Sequence, residues 1–304
     1  MALKKEFSSW GGLLNGIGQV YFTPSIFASF LVLCAIAAES PSLATLTLFG
    51  AAISYGFAVY SNKLSADIND GLYSLNGALI GLFIGNFYVV TLSSWFIVAI
   101  GALLTVPVAK VVFRFKTYRG YTCAFICIAW LLHGSLSIIP QLELTTSNLA
   151  HSSETHYLVH LPQALLPILN GISQVAFMNN AFAGLLILLA ILVNNIKHGL
   201  WVVLAVSVAT GISSLVGASP TLINQGLYGY NATLTALALL LYSGIAWPFI
   251  LIGVVLSCFV TLGFHWFGLL PLTAPFILST WAIVYLSKLL GKYCSINVQG
   301  SESK

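Results

Sequence analysis

A phrase near the start of this chain returns in its second half at a fixed spacing. Leu14-Asn15-Gly16-Ile17-Gly18-Gln19-Val20 recurs as Leu169-Asn170-Gly171-Ile172-Ser173-Gln174-Val175, an offset of 155 residues. At the same offset Ile68-Asn69-Asp70-Gly71-Leu72-Tyr73 recurs as Ile223-Asn224-Gln225-Gly226-Leu227-Tyr228. Asn76, Leu79 and Phe22 fall likewise on Asn231, Leu234 and Phe177. Two blocks repeated without a gap describe a duplicated unit whose internal geometry cannot slip. In a membrane protein such halves meet at a shared pathway near the midplane.

The chain is 59% hydrophobic and only 6% charged, where soluble domains carry roughly 25% charged residues. Ten apolar stretches read as membrane crossings. They lie near 24–38, 44–60, 71–90, 95–113 and 121–139, then 176–193, 199–216, 226–243, 245–267 and 273–290. The expected fold is therefore an all-α polytopic membrane protein built from two repeats of five crossings. The first repeat covers 1–139, an external linker 140–160, the second repeat 161–290, and a cytoplasmic tail 291–304. The N-terminal segment has no alanine-type cleavage site, so no signal peptide is expected.

Five crossings per half is an odd number, so the second half enters the membrane from the opposite side. Charge tests this inversion. With Lys4 and Lys5 in the cytoplasm, Lys63, Lys110, Arg114, Lys116, Arg119, Lys197, Lys288, Lys292 and Lys304 share their side, which accounts for all 11 basic residues. The other face carries Glu39, Glu143 and Glu154. Both termini are thus expected in the cytoplasm of a multi-pass protein of the cell membrane, inner or plasma. The net charge of +4 reports topology and not a nucleic-acid partner.

Residues 7–19 and 161–174 are each about half a membrane long and precede the first crossing of their half. Each reads as a re-entrant helix that dips into the bilayer and stops near its Asn-Gly, which membranes tolerate only in protein or beside a wet cavity. An amphipathic helix lying on the surface is the alternative. A helix end offers unpartnered carbonyls and partial negative charge. With the amide oxygens of Gln19 and Gln174, two short rows of acceptors result, suited to a neutral solute rich in N–H groups. The competing role for these glutamines is hydrogen bonding between helices.

No Asp, Glu, Lys or Arg lies in the middle of a crossing, where ion-coupled carriers place them. Asp67 and Asp70 sit in a loop and read as loop or cap residues, since the second half has Leu222 and Gln225 there. His133 and His265 read as packed side chains. Cys34, Cys123, Cys127, Cys258 and Cys294 form no disulfide framework and no metal set, and no cofactor motif is present. Asn231-Ala232-Thr233 matches a glycosylation sequon inside a crossing, an accidental match.

Asn-Gly-x-x-Gln-Val-x-Phe at 15–22 and 170–177, with Gly-Leu-Tyr-x-x-Asn-x-x-Leu at 71–79 and 226–234, resembles the urea transporter family across both halves. The resemblance implies a homotrimer whose protomers each hold a passive, channel-like pore for urea between inverted halves. It implies oxygen ladders from the two dipping helices and a narrow apolar slot for a flat molecule. By motif position Gln19 and Gln174 bear the oxygens. Val20, Phe22, Leu75 and Leu79, with Val175, Phe177, Tyr230 and Leu234, are the slot candidates. Thr233 matches a hydroxyl at the pore centre. The halves differ here, because Thr233 pairs with Ala78 and Tyr230 with Leu75.

Urea is planar and neutral, with four N–H donors. Stripping water from an amide-like group without replacement costs about 2–7 kcal/mol, which an oxygen ladder offsets without a site too deep to leave. A channel for ammonia or a short amide fits the same residues. A proton- or sodium-coupled carrier shares inverted repeats but needs charge that is absent, and a membrane enzyme needs a nucleophile or acid–base pair that is absent too. His151, His156 and His160 in the external linker read either as a solvated loop or as a pH- or metal-sensitive outer mouth.

Overall fold

The computed structural model describes residues 10–115, 117–137, 162–290 and 295–296. The linker with its three histidines and Cys294 lie outside the described residues.

Fourteen helices make up the described chain. The first half has α1 (Gly11–Gln19), α2 (Ile26–Glu39), α3 (Pro41–Tyr60), α4 (Ser65–Asn69), α5 (Leu72–Phe87), α6 (Leu92–Val112) and α7 (Cys123–Leu136). The second has α8 (Leu166–Ser173), α9 (Ala181–Asn194), α10 (Ile196–Leu215), α11 (Pro220–Asn224), α12 (Tyr230–Leu240), α13 (Trp247–Trp266) and α14 (Ala274–Leu289). Helices α2, α3 and α4 map onto α9, α10 and α11 residue for residue at the 155 offset. Local chemistry fixes these starts. Ser40 caps α3 by accepting from the Leu43 amide, with Pro41 in the first turn, and its counterpart Asn195 caps α10 by accepting from the His198 amide.

Of the ten expected crossings, α3, α6, α10 and α13 have 20 or 21 residues and are long and apolar enough to span alone. The partners α2, α5, α7, α12 and α14 are apolar helices of 10–17 residues. The crossing expected over 226–243 is the most reduced: α12 has 11 residues, or about 17 Å of rise. Its ends are taken up by the turn at Gly226 and by a two-residue strand β1 (Tyr242–Ser243), paired antiparallel with β2 (Ser295–Ile296). The pairing draws the tail to the α12–α13 connection. Both segments expected to dip are helical over part of their length. Residues Gln163–Ala176, comprising α8 flanked by 3-10 turns, meet α9 at a 75° bend.

Packing is duplicated as well. Helix α1 lies on α2 and α5 as α8 lies on α9 and α12, and α3 packs on α5 and α6 as α10 packs on α12 and α13. The halves join through α2 against α9 and α7 against α14. At the first seam Asn180, the N-cap of α9, donates Nδ2 to Glu39 Oε2 at 2.8 Å. The C-terminal end of α2 therefore sits at the N-terminal end of α9, so these equivalent helices run in opposed directions.

One detail departs from the fixed spacing. Beyond α6 and α13 the structural offset contracts from 155 to 151, so Thr122 pairs with Thr273 and Phe125 with Phe276. The connection before the last helix is four residues shorter in the second half.

Candidate permeation pathway

The two repeated motifs of each half are one structure. Asn15 donates Nδ2 to the Asn69 carbonyl at 2.9 Å, and Asn170 donates to the Asn224 carbonyl at 2.8 Å. Beside these bonds Gly71 (φ 78°) and Gly226 (φ 76°) adopt a left-handed backbone, open to glycine at little cost. Their neighbours leave no room for a side chain. A Cβ on Gly71 would lie 2.3 Å from the Gly16 nitrogen, and one on Gly226 would lie 2.2 Å from the Gly171 nitrogen. Two backbones in contact explain why neither block can slip.

Both dipping helices end in the same unusual way. The chain turns at Phe22 (φ 55°) and Phe177 (φ 60°). Thr23 N–H then reaches back to the Gly18 carbonyl at 3.0 Å, and Met178 N–H to the Ser173 carbonyl at 3.3 Å. This is the Schellman closure, in which glycine is the usual left-handed residue. A phenylalanine there costs on the order of 1–3 kcal/mol, a strain that concentrates at functional sites. Its placement in both halves points to the rings themselves.

The carbonyl rows are less bare than the sequence suggests. Gly18 O accepts also from Thr23 Oγ1 at 2.9 Å, and Ile172 O accepts from the buried Tyr21 hydroxyl at 3.2 Å. The glutamines differ from one another. Gln19 donates Nε2 to the Asp70 carbonyl at 3.0 Å, leaving its oxygen to accept. Gln174 is buried, and among the described residues its amide has no hydrogen-bond partner.

Aromatic pairs form across the halves. Phe22 meets Phe276 of the other half with ring centres 6.3 Å apart, and Tyr121 of its own half at 5.4 Å. Reciprocally, Phe177 meets Phe125 at 6.0 Å and Phe87 at 5.8 Å. The repeated asparagines anchor these rings. Asn76 Oδ1 accepts from Phe125 N–H at 2.8 Å while its Nδ2 donates to Tyr121 O at 3.4 Å. Asn231 does the same for Phe276 N–H and Leu272 O, at 3.3 Å each. So bonded and fully buried, Asn231 is no glycosylation site.

The sequence-derived slot residues Val20, Phe22, Leu75, Leu79, Val175, Tyr230 and Leu234 all belong to one buried cluster, against which Phe177 packs. Tyr230 donates its hydroxyl to Leu272 O at 2.6 Å, a bond its mate Leu75 cannot make. Thr233 is fully buried and its hydroxyl has no partner among the described residues. Thr122 Oγ1 and Thr273 Oγ1, one from each half, stand 2.7 Å apart. Thr122, Thr273, Phe125 and Phe276 were not picked out by the motifs. Their signal is Thr-x-x-Phe at 122–125 and 273–276, hidden by the contracted offset.

Flanking features have plain structural roles. His133 Nδ1 bonds the Tyr88 hydroxyl at 2.9 Å, and His265 lies edge-on to the Tyr228 ring. Among the described residues no group of three His, Cys, Asp or Glu gathers to hold a metal. A cavity of about 420 Å³ opens beside Asn224, lined also by Ser214, Gly217, Ala218, Pro220 and Ile223.

The fold and these paired features define a helical multi-pass membrane protein of duplicated construction, with uncharged polar groups set between apolar walls. A family profile described as Urea transporter matches residues 10–288, and the chain belongs to that family. It is similar to urea transporter 1 of Ovis aries and of Capra hircus, 38% identical over 91 residues, which is 29% of this chain and 24% of each relative. It is also similar to urea transporter 1 of Mus musculus, 40% identical over 76 residues, or 25% of this chain and 20% of the relative. The matched stretch thus spans about a quarter or less of the length of these curated relatives.

Proposed function

We propose that the chain is a passive channel for urea, with one pore per protomer of a homotrimer, running between the inverted halves. It sits in the cell membrane with both termini cytoplasmic. The observation that supports this reading is the fully buried Thr233 hydroxyl, which has no partner among the described residues, in a fold whose halves also contribute paired phenylalanines. Leaving a buried polar group unsatisfied costs about 1–3 kcal/mol. A solute with several N–H donors and flat apolar faces removes that cost as it passes. Gln19 and Gln174 take up the N–H groups. Val20, Phe22, Leu75 and Leu79, with Val175, Phe177, Tyr230 and Leu234, contact the faces, and Thr233 with the Thr122–Thr273 pair lies at the middle.

Nothing in this route moves a charge, so transport follows the urea gradient alone. The test is urea flux into proteoliposomes, with and without proton and sodium gradients. Equal flux in both conditions supports the channel. Flux that needs an ion gradient makes the protein a coupled carrier, and faster ammonia or acetamide flux with none for urea makes it a channel for another solute. Cysteines placed at Thr117 and Ser147 should react from opposite faces of the membrane, and a monomeric mass in mild detergent would overturn the trimer.

A further inference from the structure

We infer that Trp130 and Trp281 are positioning residues that set the width of the central constriction, and with it the discrimination between urea and bulkier planar amides. The inference rests on the urea-channel reading. The indole N–H of Trp130, on α7, donates to the Leu270 carbonyl at 3.0 Å. That of Trp281, on α14, donates to the Arg119 carbonyl, also at 3.0 Å. Trp130 and Trp281 are 151 residues apart, as are Arg119 and Leu270, matching the offset of Thr122 and Thr273. One bond is therefore made twice about the pseudo-two-fold axis, each half bracing the other, as at an isologous interface.

Each braced carbonyl lies three residues before a central threonine. Between brace and threonine stands a bulky residue held left-handed, Tyr121 (φ 38°) in one turn and Leu272 (φ 44°) in the other. Such a backbone persists only where its surroundings over-determine it. Asn76 and Asn231 hold one end of these turns through the Tyr121 and Leu272 carbonyls. The indoles hold the other end. With both ends fixed, the threonine at the exit of each turn is placed, and so is the hydrogen-bonded hydroxyl pair that forms one wall of the proposed constriction.

The bond, and not general packing, is what the two tryptophans share. Trp130 stacks on Phe264 at 18° and is 41% exposed, while Trp281 stands edge-on to Tyr118 at 75°. Different neighbours with an identical donor and an equivalent acceptor single out the N–H.

The experiment compares flux of urea with that of N-methylurea and thiourea in proteoliposomes of wild type, Trp130→Phe and Trp281→Phe. Each variant keeps an aromatic ring and loses the donor. The flux ratio of the larger solutes to urea should rise about three- to tenfold in both, the factor a single hydrogen bond supplies. An unchanged or lowered ratio in a variant that elutes as wild type in detergent overturns the inference. If a phenylalanine variant does not assemble, replacement of that indole by 3-benzothienylalanine, which has its shape without the N–H, decides by the same reading. Wild-type protein that carries no urea would instead overturn the proposed function, and the two failures are thereby distinguished.

Discussion

Thr122 and Thr273 bring their hydroxyl oxygens within 2.7 Å of each other, each as the N-cap residue of the last helix of its half. Equivalent residues in direct contact mark where the pseudo-two-fold axis crosses the chain. One hydroxyl donates to the other, which leaves one proton and spare lone pairs for a third partner. On the channel reading, a solute with both N–H and C=O groups meets this pair in either orientation.

The two glutamines should respond differently to replacement by alanine. Both variants should slow urea flux several-fold, since an acceptor lost from a buried row costs about 1–3 kcal/mol. Gln19→Ala also strips the Asp70 carbonyl of its donor and should lower the melting temperature. Gln174 has no such bond, so Gln174→Ala should leave melting unchanged or raise it. Stopped-flow flux and thermal unfolding, measured on the same preparations, separate the two effects. Normal flux in the double variant would show that the glutamines only hold helices together.

Thr233→Val keeps the shape of the side chain and removes its unpartnered hydroxyl. The folded protein should gain up to about 1–3 kcal/mol, the cost of an unsatisfied buried group, while urea flux falls. A variant that melts lower and conducts normally would place the hydroxyl outside the pathway.

Gly71→Ala and Gly226→Ala should each prevent assembly. Both positions combine a left-handed backbone with a neighbouring main chain closer than any Cβ tolerates, and both penalties act on the folded state. Size-exclusion profiles after mild solubilisation provide the readout, and a monodisperse, conducting Gly71→Ala protein would refute the backbone contact.

Asp67 introduces a dependence on pH. Burial, followed by the nearby Asp70 carboxylate, raises its pKa above the usual 3.8, with Arg119 opposing. The folded state therefore holds this proton more tightly than the unfolded chain. The resulting stability is fully present below about pH 3.8 and is lost as pH rises through the raised value. Asp67→Asn, which mimics the protonated form, should melt above wild type at neutral pH and level with it in acid. Thermal unfolding across that range checks the sign.

Much of this was readable in the chain because a repeat records geometry directly. Asn15 with Asn69, and Asn170 with Asn224, are 54 residues apart in both halves, so the contact imposed its own spacing on the sequence. Hydropathy located the apolar helices but not their lengths, since α12 is apolar beyond the point where its helix stops. The central threonines and the cross-half phenylalanines stayed hidden for a different reason. A connection four residues shorter before α14 moves Thr273 and Phe276 out of the main register, and pairing across the axis joins positions that no local pattern connects. The left-handed phenylalanines were legible as residues and not as conformations, because sequence preference would have put glycine there.

The weld of each dipping helix to its neighbouring crossing, asparagine to carbonyl and glycine backbone to glycine backbone, has a kinetic consequence. Within each half the dipping helix and the crossing beside it then move as one body, so the groups at the helix end keep their places. On the channel reading, the climb a urea molecule faces is the work of exchanging water for fixed oxygens, a small-molecule process with a shallow slope against temperature. A stationary slot passes its cargo on a cold day nearly as readily as on a warm one.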